Sequence, residues 1–169
     1  RSRRISSISG TCGSEAPCFV FNSGENRDTV VEGFTISYGH NAVNGVGGGG
    51  IACHSGSPTI RNCVITHCSS VWIGGGMYVN SGTPLVESCT FSYNSSVSDG
   101  GGFHGTALLW NNSFIANEAT GIGDYPAEGG GAYVNGSSEI KSCRFIASAA
   151  RCGAGLWVGG DKVVKNCLF

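Results

Sequence analysis

A repeated glycine motif runs through the chain at nearly constant spacing. Three glycines followed by an apolar residue recur five times, and the final glycine of each copy stands at position 50, 76, 102, 131 or 155. The successive steps are therefore 26, 26, 29 and 24 residues. The last copy is degenerate, because Ala154 replaces its central glycine. Self-similarity with a period of this size is typical of solenoids and related repeat architectures.

A second motif recurs with the same period as the glycine motif and contains two short runs of β-forming residues. Its copies are Val31-x-x-Phe34-x-Ile36, Ile60-x-x-Cys63-x-Ile65, Val86-x-x-Cys89-x-Phe91, Leu109-x-x-Asn112-x-Phe114, Ile140-x-x-Cys143-x-Phe145 and Val164-x-x-Cys167-x-Phe169. Each unit of about 25 residues has too little room for a helix besides these runs. One unit therefore predicts one coil of a parallel, all-β solenoid, in which apolar faces are buried against neighbouring coils. We expect about six coils, with Ile60, Val86, Leu109, Ile140 and Val164 in one dry interior column.

Composition agrees with this architecture and excludes several others. Glycine accounts for 29 of 169 residues, whereas charged residues make up only 12% and the formal net charge is −1. Glycine triplets suit sharp corners, where a Cβ would clash. The balanced charge gives no reason to expect nucleic-acid binding, and the sequence lacks an apolar run of membrane-spanning length. The sequence predicts one solenoid domain over residues 1–169 and a fragment of a longer chain, because it lacks an initial Met and ends within a strand-like run.

The glycine motif is paired with a Phe-x-x-Asn motif, and together they resemble a known repeat. Its clearest copies are Phe91-Ser92-Tyr93-Asn94 and Phe114-Ile115-Ala116-Asn117. The pair resembles the repeat of polymorphic outer-membrane proteins and, more generally, right-handed parallel β-helix proteins of pectin-lyase-like shape. The resemblance implies a single right-handed parallel β-helix solenoid. It is broken at Cys68 and Ser148, which replace the asparagine. We expect Asn94 to lie inside a turn, where its amide satisfies backbone groups of adjacent coils.

Nine cysteines are present, and the repeat accounts for four of them. Cys63, Cys89, Cys143 and Cys167 share one inward column in which Asn112 fills the gap, so they are expected to be buried thiols. Disulfides between adjacent rungs remain an alternative. Cys12 and Cys18 flank a short loop and form a candidate loop disulfide. No metal site is expected.

A clustered group of cysteines and histidines invites a zinc interpretation, which the repeat argues against. The members are Cys53, His54, Cys63, His67 and Cys68. The frame turns Cys53 and Cys63 inward and His54 outward, so these ligands would not converge on one ion.

Carboxylates suitable for catalysis are scarce. Asp99 and Glu128 stand immediately before glycine triplets in successive coils, so they should approach within about one rung spacing of 4.8 Å. His104 and Asp124 lie nearby in the frame, and the longest insertion, residues 121–127, is adjacent. These four residues are weak candidates for a catalytic or Ca²⁺ site. An outward column of Glu32, Arg61, Glu87, Trp110, Lys141 and Lys165 is better explained as a surface ladder of charges.

A row of aromatic residues follows the glycine triplets. Tyr78, His104, Tyr133 and Trp157 occupy equivalent positions in successive coils, and strand alternation turns them outward, with Ala52 at the head of the row. One interpretation is ring stacking that stabilises the coil faces. The other is a binding strip for a glycan or a partner subunit, since exposed aromatics are enriched at interfaces.

Two functional hypotheses follow. The first is a non-catalytic structural, adhesive or assembly module of an extracellular or cell-surface protein. The second is a polysaccharide-active β-helix enzyme, a lyase, hydrolase or epimerase, whose site lies partly in this segment. The open coil ends also predict self-association or contact with neighbouring subunits.

Overall fold

The computed structural model describes residues 3–6, 10–11, 15–121, 126–160 and 162–169. Every regular element in these ranges is a β-strand, and every strand pairing between them is parallel. Four sheets run along the molecule, with strand orders in which each coil follows the previous one. The all-β solenoid expected from the repeat is therefore confirmed.

Each sheet collects one short strand from each of several coils, and we name the sheets I to IV. Sheet I contains Arg3–Ser6, Thr29–Glu32, Thr59–Arg61, Leu85–Glu87, Leu108–Trp110, Glu139–Lys141 and Val163–Lys165. Sheet II contains Gly10–Thr11, Thr35–Ser37, Val64–Thr66, Thr90–Ser92, Ser113–Ile115 and Arg144–Ile146. Sheet III contains Phe19–Phe21, Ile51–Cys53, Met77–Val79, Phe103–Gly105, Ala132–Val134 and Leu156–Val158. Sheet IV contains His40–Asn41, Ser69–Ser70, Ser95–Ser96 and Glu118–Ala119.

One coil visits the sheets in the order III, I, II and IV, and the glycine triplet then returns it to sheet III. The solenoid has about five turns of roughly 26 residues rather than the six coils of about 25 expected from the sequence. The first step of sheet III, from Phe19 to Ile51, is longer than the others and takes 32 residues (51 − 19), because its connecting loops are longer.

The interior column of sheet I has the expected register. Val31, Ile60, Val86, Leu109 and Ile140 are Cα partners in successive strands, and each is at most 1% exposed. Val164 continues the column but is 41% exposed, so the expectation that it is dry is wrong. It lies in the last described strand of the sheet, where no further described coil covers it.

Phenylalanine rings form a second interior stack, in sheet II. Phe91, Phe114 and Phe145 lie face to face with centroid distances of 5.0 and 4.9 Å, and Phe169 follows at 5.2 Å. Offset stacking of this kind adds to the free energy gained by burying the rings. The sequence frame places one large ring in each of these coils, which fixes the register of sheet II.

Buried asparagines satisfy the turn between sheets II and IV. The Asn94 side chain accepts a hydrogen bond from the Cys68 backbone N–H at 3.0 Å and donates to the Ile65 carbonyl at 2.9 Å. It also donates to the Oδ1 atom of Asn117 in the next coil at 3.0 Å. The expectation that Asn94 is buried in a turn and serves neighbouring backbones is confirmed.

The cysteine column of the repeat consists of free thiols. Cys63, Cys89 and Cys143 are buried, and each Sγ atom lies within hydrogen-bond reach of backbone carbonyls. Burial raises the pKa of Cys143 to about 11, so its thiol stays protonated at neutral pH. Cys167 is less buried than expected, because it lies in the last described coil. Asn112 fills the gap in the column, as predicted, and caps the Cys89 N–H at 2.9 Å.

Substituting Leu109 tests the interior register. Leu109→Asp places a carboxylate without a partner at a position that is fully buried, so we expect it to lower the free energy of unfolding by about 3–5 kcal/mol. Thermal and denaturant unfolding measure this change. Leu108→Asp is the matched control, because the neighbouring side chain is only partly buried and should cost much less. Equal melting of the Leu109 variant and the parent would show that the register is wrong.

Candidate binding site

The glycine corner brings two side-chain columns together, one before and one after the triplet. Gly100 has φ +66°, and a Cβ there would lie 2.7 Å from the Cβ of His104. Gly101 has no room either, because its Cβ would meet the Glu118 backbone. Only glycine allows so close an approach. As a result, residue 99 and residue 104, five positions apart, lie on the same corner of the coil.

The aromatic row after the glycine triplets forms a continuous stack, which we call the corner ladder: Tyr78, His104, Tyr133 and Trp157. The ring centroids are separated by 5.8, 4.5 and 4.2 Å in that order. The last two pairs are nearly parallel, with interplanar angles of 5° and 6°, whereas the Tyr78 ring is tilted by 44° to the His104 ring. All four residues are half-buried rather than fully exposed, because each ring covers the faces of its neighbours. The ladder therefore presents ring edges to solvent.

His104 is the most constrained member of the corner ladder. It lies between the rings of Tyr78 and Tyr133, and its buried Nδ1 atom has no hydrogen-bond partner among the described residues. Burial lowers the pKa of His104 from 6.5 to about 4. The imidazole is therefore neutral at physiological pH, which suits stacking and makes it a poor proton donor.

Asp99 and Glu128 lie in contact across adjacent coils, at the position predicted from their spacing. The Glu128 backbone N–H donates to the Oδ1 atom of Asp99 at 2.9 Å. Burial raises the pKa of the Asp99 carboxyl, and burial together with the Asp99 charge raises that of Glu128. A hydrogen bond with Trp157 opposes the shift at Glu128. Glu128 therefore connects this pair of carboxyl groups to Trp157, the last ring of the corner ladder.

The structure brings together three of the four weak catalytic candidates. Besides Asp99 and Glu128, His104 belongs to the same corner. Asp124 lies outside the described residues, so its predicted proximity to His104 stays a prediction. Within the described ranges, no group of three or more His, Cys, Asp or Glu side chains is arranged to hold a metal ion.

The loop disulfide predicted from the sequence is described only at one cysteine. Cys18 is disulfide-bonded and packs against the core. Cys12 lies outside the described residues, so the pairing of these two residues stays a prediction.

The outward charged column has the predicted register on sheet I. Arg61 pairs with Glu32 in the coil below, at 3.0 Å between Nη2 and Oε2. Lys141 bonds Glu139 on its own strand at 2.8 Å and lies over the Trp110 ring at 5.5 Å from the centroid. Opposite charges and a cation–π contact therefore alternate along this face, as expected for a surface ladder.

A second aromatic stack was not identified from the sequence, and we call it the turn ladder: Tyr38, His67 and Tyr93. The centroids of successive rings lie 5.4 and 5.2 Å apart. Each residue has positive φ, between 53° and 59°, at the turn from sheet II to sheet IV. The sequence does show that each of these residues stands two positions after the inward residue of sheet II. It does not show where their side chains point, because strand alternation assigns no face to a turn residue in the left-handed region.

Comparison with known families agrees with the geometry. The family model described as the right handed beta helix region matches residues 17–169. The chain belongs to this family, which confirms the right-handed parallel β-helix and agrees with a pectin-lyase-like shape. The narrower resemblance to polymorphic outer-membrane repeats stays a prediction. Neither the curated proteins nor the solved structures include a significant match to the chain. Among the described residues, no helix is long and apolar enough to cross a membrane.

The pKa of His104 predicts a pH-dependent stability. Since the folded-state pKa is depressed below the unfolded value, the unfolded chain binds the proton first as pH falls. His104 should cost stability progressively from about pH 6.5 down to about pH 4, by up to about 3 kcal/mol, and have no effect above this range. His104→Phe preserves the stacked ring and removes the titrating group. Unfolding free energies of parent and variant across this range measure the difference.

Comparing the parent with His104→Phe separates the effect of His104 on stability from that of the nearby carboxyl groups. Asp99 and Glu128 have raised pKa values and titrate in both proteins, with an opposite effect on stability. Parallel pH profiles of the parent and His104→Phe would contradict the burial of the imidazole.

Proposed function

We propose that the chain is a non-catalytic structural, adhesive or assembly module of an extracellular or cell-surface protein, and that the corner ladder is its contact strip. The observation that carries the proposal is the unbroken row of ring contacts across four coils, in which His104, Tyr133 and Trp157 are stacked and Tyr78 is tilted against His104. A rigid row of half-buried rings provides contact area at low cost in conformational entropy.

The stacked geometry restricts how a partner would contact this strip. Ring faces at Tyr133 are occupied by His104 on one side and Trp157 on the other. A glycan or a partner subunit would therefore meet ring edges and polar tips. The Tyr78 hydroxyl already donates to Asn80 at 3.0 Å, and Trp157 bonds Glu128. The Tyr133 hydroxyl is the central polar group of the strip and the one we expect to bond a partner.

The cysteine chemistry supports the proposed location. A disulfide at Cys18 is typical of proteins from an oxidising compartment. Cys63, Cys89 and Cys143 are buried free thiols in the solenoid, and burial raises the pKa of Cys143 to about 11, which keeps that thiol protonated and unreactive. The redox arrangement is thus compatible with a position outside the cell.

The last described coil supports the assembly part of the proposal. Leu168 and Phe169 are 56% and 70% exposed, and Val163 and Val164 are each about 40% exposed. Apolar side chains grouped in this way favour coverage by further β-structure or by a neighbouring subunit. We therefore include contact through the coil end among the proposed interactions.

Variants of the corner ladder separate binding from stacking. Tyr133→Phe keeps the stacked ring but removes the hydroxyl, so we expect nearly unchanged melting and weaker retention of the partner. Tyr133→Ser combined with Trp157→Ser removes two rings, and we expect a loss of about 0.5–2 kcal/mol of stability in addition. Melting temperature, glycan-array signal and self-association by light scattering are measured for each variant.

The outcome decides between the two interpretations of the row. Reduced glycan binding or self-association in Tyr133→Phe at unchanged melting temperature supports the contact strip. If both variants retain binding and assembly and only the double variant loses stability, the row has a stacking role alone.

A polysaccharide-active enzyme is the second candidate function, and a specific observation favours keeping it. Asp99 accepts a hydrogen bond from the Glu128 backbone, Glu128 is hydrogen-bonded to Trp157, and both carboxyl groups have raised pKa values. A carboxylic acid with a raised pKa can act as a general acid, and glycoside hydrolysis commonly uses a pair of carboxyl groups. In this hypothesis Asp99, the more buried of the two, is the proton donor.

Removal of the Asp99 carboxyl tests this second function. If the chain cleaves a polysaccharide, Asp99→Asn should reduce the release of reducing ends by about 100-fold or more, because general acid catalysis contributes that much. Asp28→Asn is the control, since Asp28 is exposed and distant along the chain. Equal rates in parent and Asp99→Asn would remove this carboxyl from consideration.

A further inference from the structure

The turn ladder belongs to a longer column whose upper half contains no rings. Its backbone positions are equivalent, because the N–H of each turn residue donates to the coil above: Tyr38 to Thr66, His67 to Ser92, Tyr93 to Ile115 and Ala116 to Ile146. All members have positive φ, from 50° to 59°: Tyr38, His67, Tyr93, Ala116 and Ala147. The side chain thus changes from ring to methyl between Tyr93 and Ala116 while the backbone continues unchanged.

This change leaves a step on the surface above Tyr93. One face of the Tyr93 ring is stacked on His67, at 5.2 Å between centroids and an interplanar angle of 23°. The opposite face points along the solenoid towards Ala116, and His67 is the only ring contact of Tyr93 among the described residues. Tyr93 is 58% exposed. The structure therefore has an aromatic floor and a space where the ladder would place its next ring.

The sides of the step differ in chemistry. On the side of sheet II, Ile115 and Ile146 are in-register neighbours that turn outward and are half-buried. On the side of sheet IV, Glu118 is exposed and lies in register with Ser95, two residues after Tyr93. The step is thus lined by an aliphatic wall on one side and a carboxylate on the other.

We propose that this step, formed by Tyr93, Ala116, Ala147, Ile115, Ile146 and Glu118, binds a neutral hexopyranose unit of a glycan chain. A pyranose has an apolar C–H face, which fits the free face of Tyr93, and an edge of vicinal hydroxyls, which donate to the Glu118 carboxylate. The ladder spacing of 5.2 Å provides room for one additional ring above Tyr93. A pyranose chair, with C–H groups on one face and hydroxyl donors along its edge, satisfies both sides of the step.

The site is distinct from the contact strip of the proposed function. In the corner ladder, Tyr133 has a ring on each face, and the edge of the Trp157 ring lies against Gly159, where a Cβ would be 2.7 Å away. That ladder offers edges, whereas the turn ladder offers a face at Tyr93. Failure at one ladder therefore leaves the other proposal unaffected.

The test fills the step and, separately, removes its floor. Ala116→Tyr should continue the ladder without strain, because Tyr38 and Tyr93 already adopt the same backbone conformation with φ of 59° and 55°. Tyr93→Ala deletes the floor, and Glu118→Gln removes the carboxylate charge. Tyr38→Ala is the matched control, because it deletes a ring of equal exposure, 57%, at the other end of the ladder. Saturation-transfer NMR and titration with cellohexaose, maltohexaose and xylohexaose measure binding.

We expect at least one of the two hexopyranose oligosaccharides, cellohexaose or maltohexaose, to bind. Affinity should fall by about tenfold in Ala116→Tyr and in Tyr93→Ala, fall in Glu118→Gln because a charged acceptor is lost, and remain unchanged in Tyr38→Ala. Thermal melting of Ala116→Tyr at or above the parent value shows that the step is filled in a folded protein. Absence of binding by both hexopyranose probes, or equal affinity in the parent and Ala116→Tyr, overturns the proposal. Binding of N-acetyltyrosinamide in place of the sugars overturns it too, because the step would then take an aromatic side chain of a protein.

Discussion

Parallel backbone pairing between successive coils is the constraint on which the rest of the molecule depends. Each strand bonds the equivalent strand of the next coil in exact register, as at Val86 and Leu109 in sheet I. Equivalent side chains must then stack about 4.8 Å apart. Each side chain in a column contacts mainly the equivalent side chains directly above and below it. A substitution at one position therefore affects mainly the packing of these two neighbours. Aliphatic, phenylalanine, asparagine, thiol and aromatic columns are all consequences of this one rule.

The glycine triplet and the turn residues with left-handed backbone conformation allow the chain to turn between the sheets and complete each coil. Gly101 allows the backbones of two sheets to approach so closely that a Cβ would meet the chain of sheet IV. At the turns on the other sides, non-glycine residues such as Asn62 and His67 adopt positive φ, which backbone bonds to the next coil hold in place. Because the corner residues are held by neighbouring coils, side chains such as His104 and Tyr93 are presented at fixed positions. The rigidity of the surface columns thus follows from the same hydrogen bonds as the fold.

Much of the fold was predictable because the period was visible in the glycine spacing. The interior column through Leu109, the thiol column and the corner ladder follow from counting residues within one repeat. The contact between Asp99 and Glu128 was predictable for the same reason. Exposure at the last coil was not, since the burial of Val164 depends on what covers it rather than on its own frame position. The turn ladder was missed because Tyr38, His67 and Tyr93 stand at a left-handed turn, where the alternation rule for strands does not apply. The half-burial of His104 also depends on three-dimensional stacking, which hydrophobic patterning does not encode.

Aromatic side chains from successive coils are stacked in register on the surface of the solenoid. Nuclear Overhauser contacts between ring protons measure this directly in a protein of 17.3 kDa. We expect cross-peaks from Tyr133 to both His104 and Trp157, and from His67 to both Tyr38 and Tyr93. Cross-peaks that link Tyr133 to residues of a shifted register, or the absence of ring contacts in both ladders, would contradict this stacking.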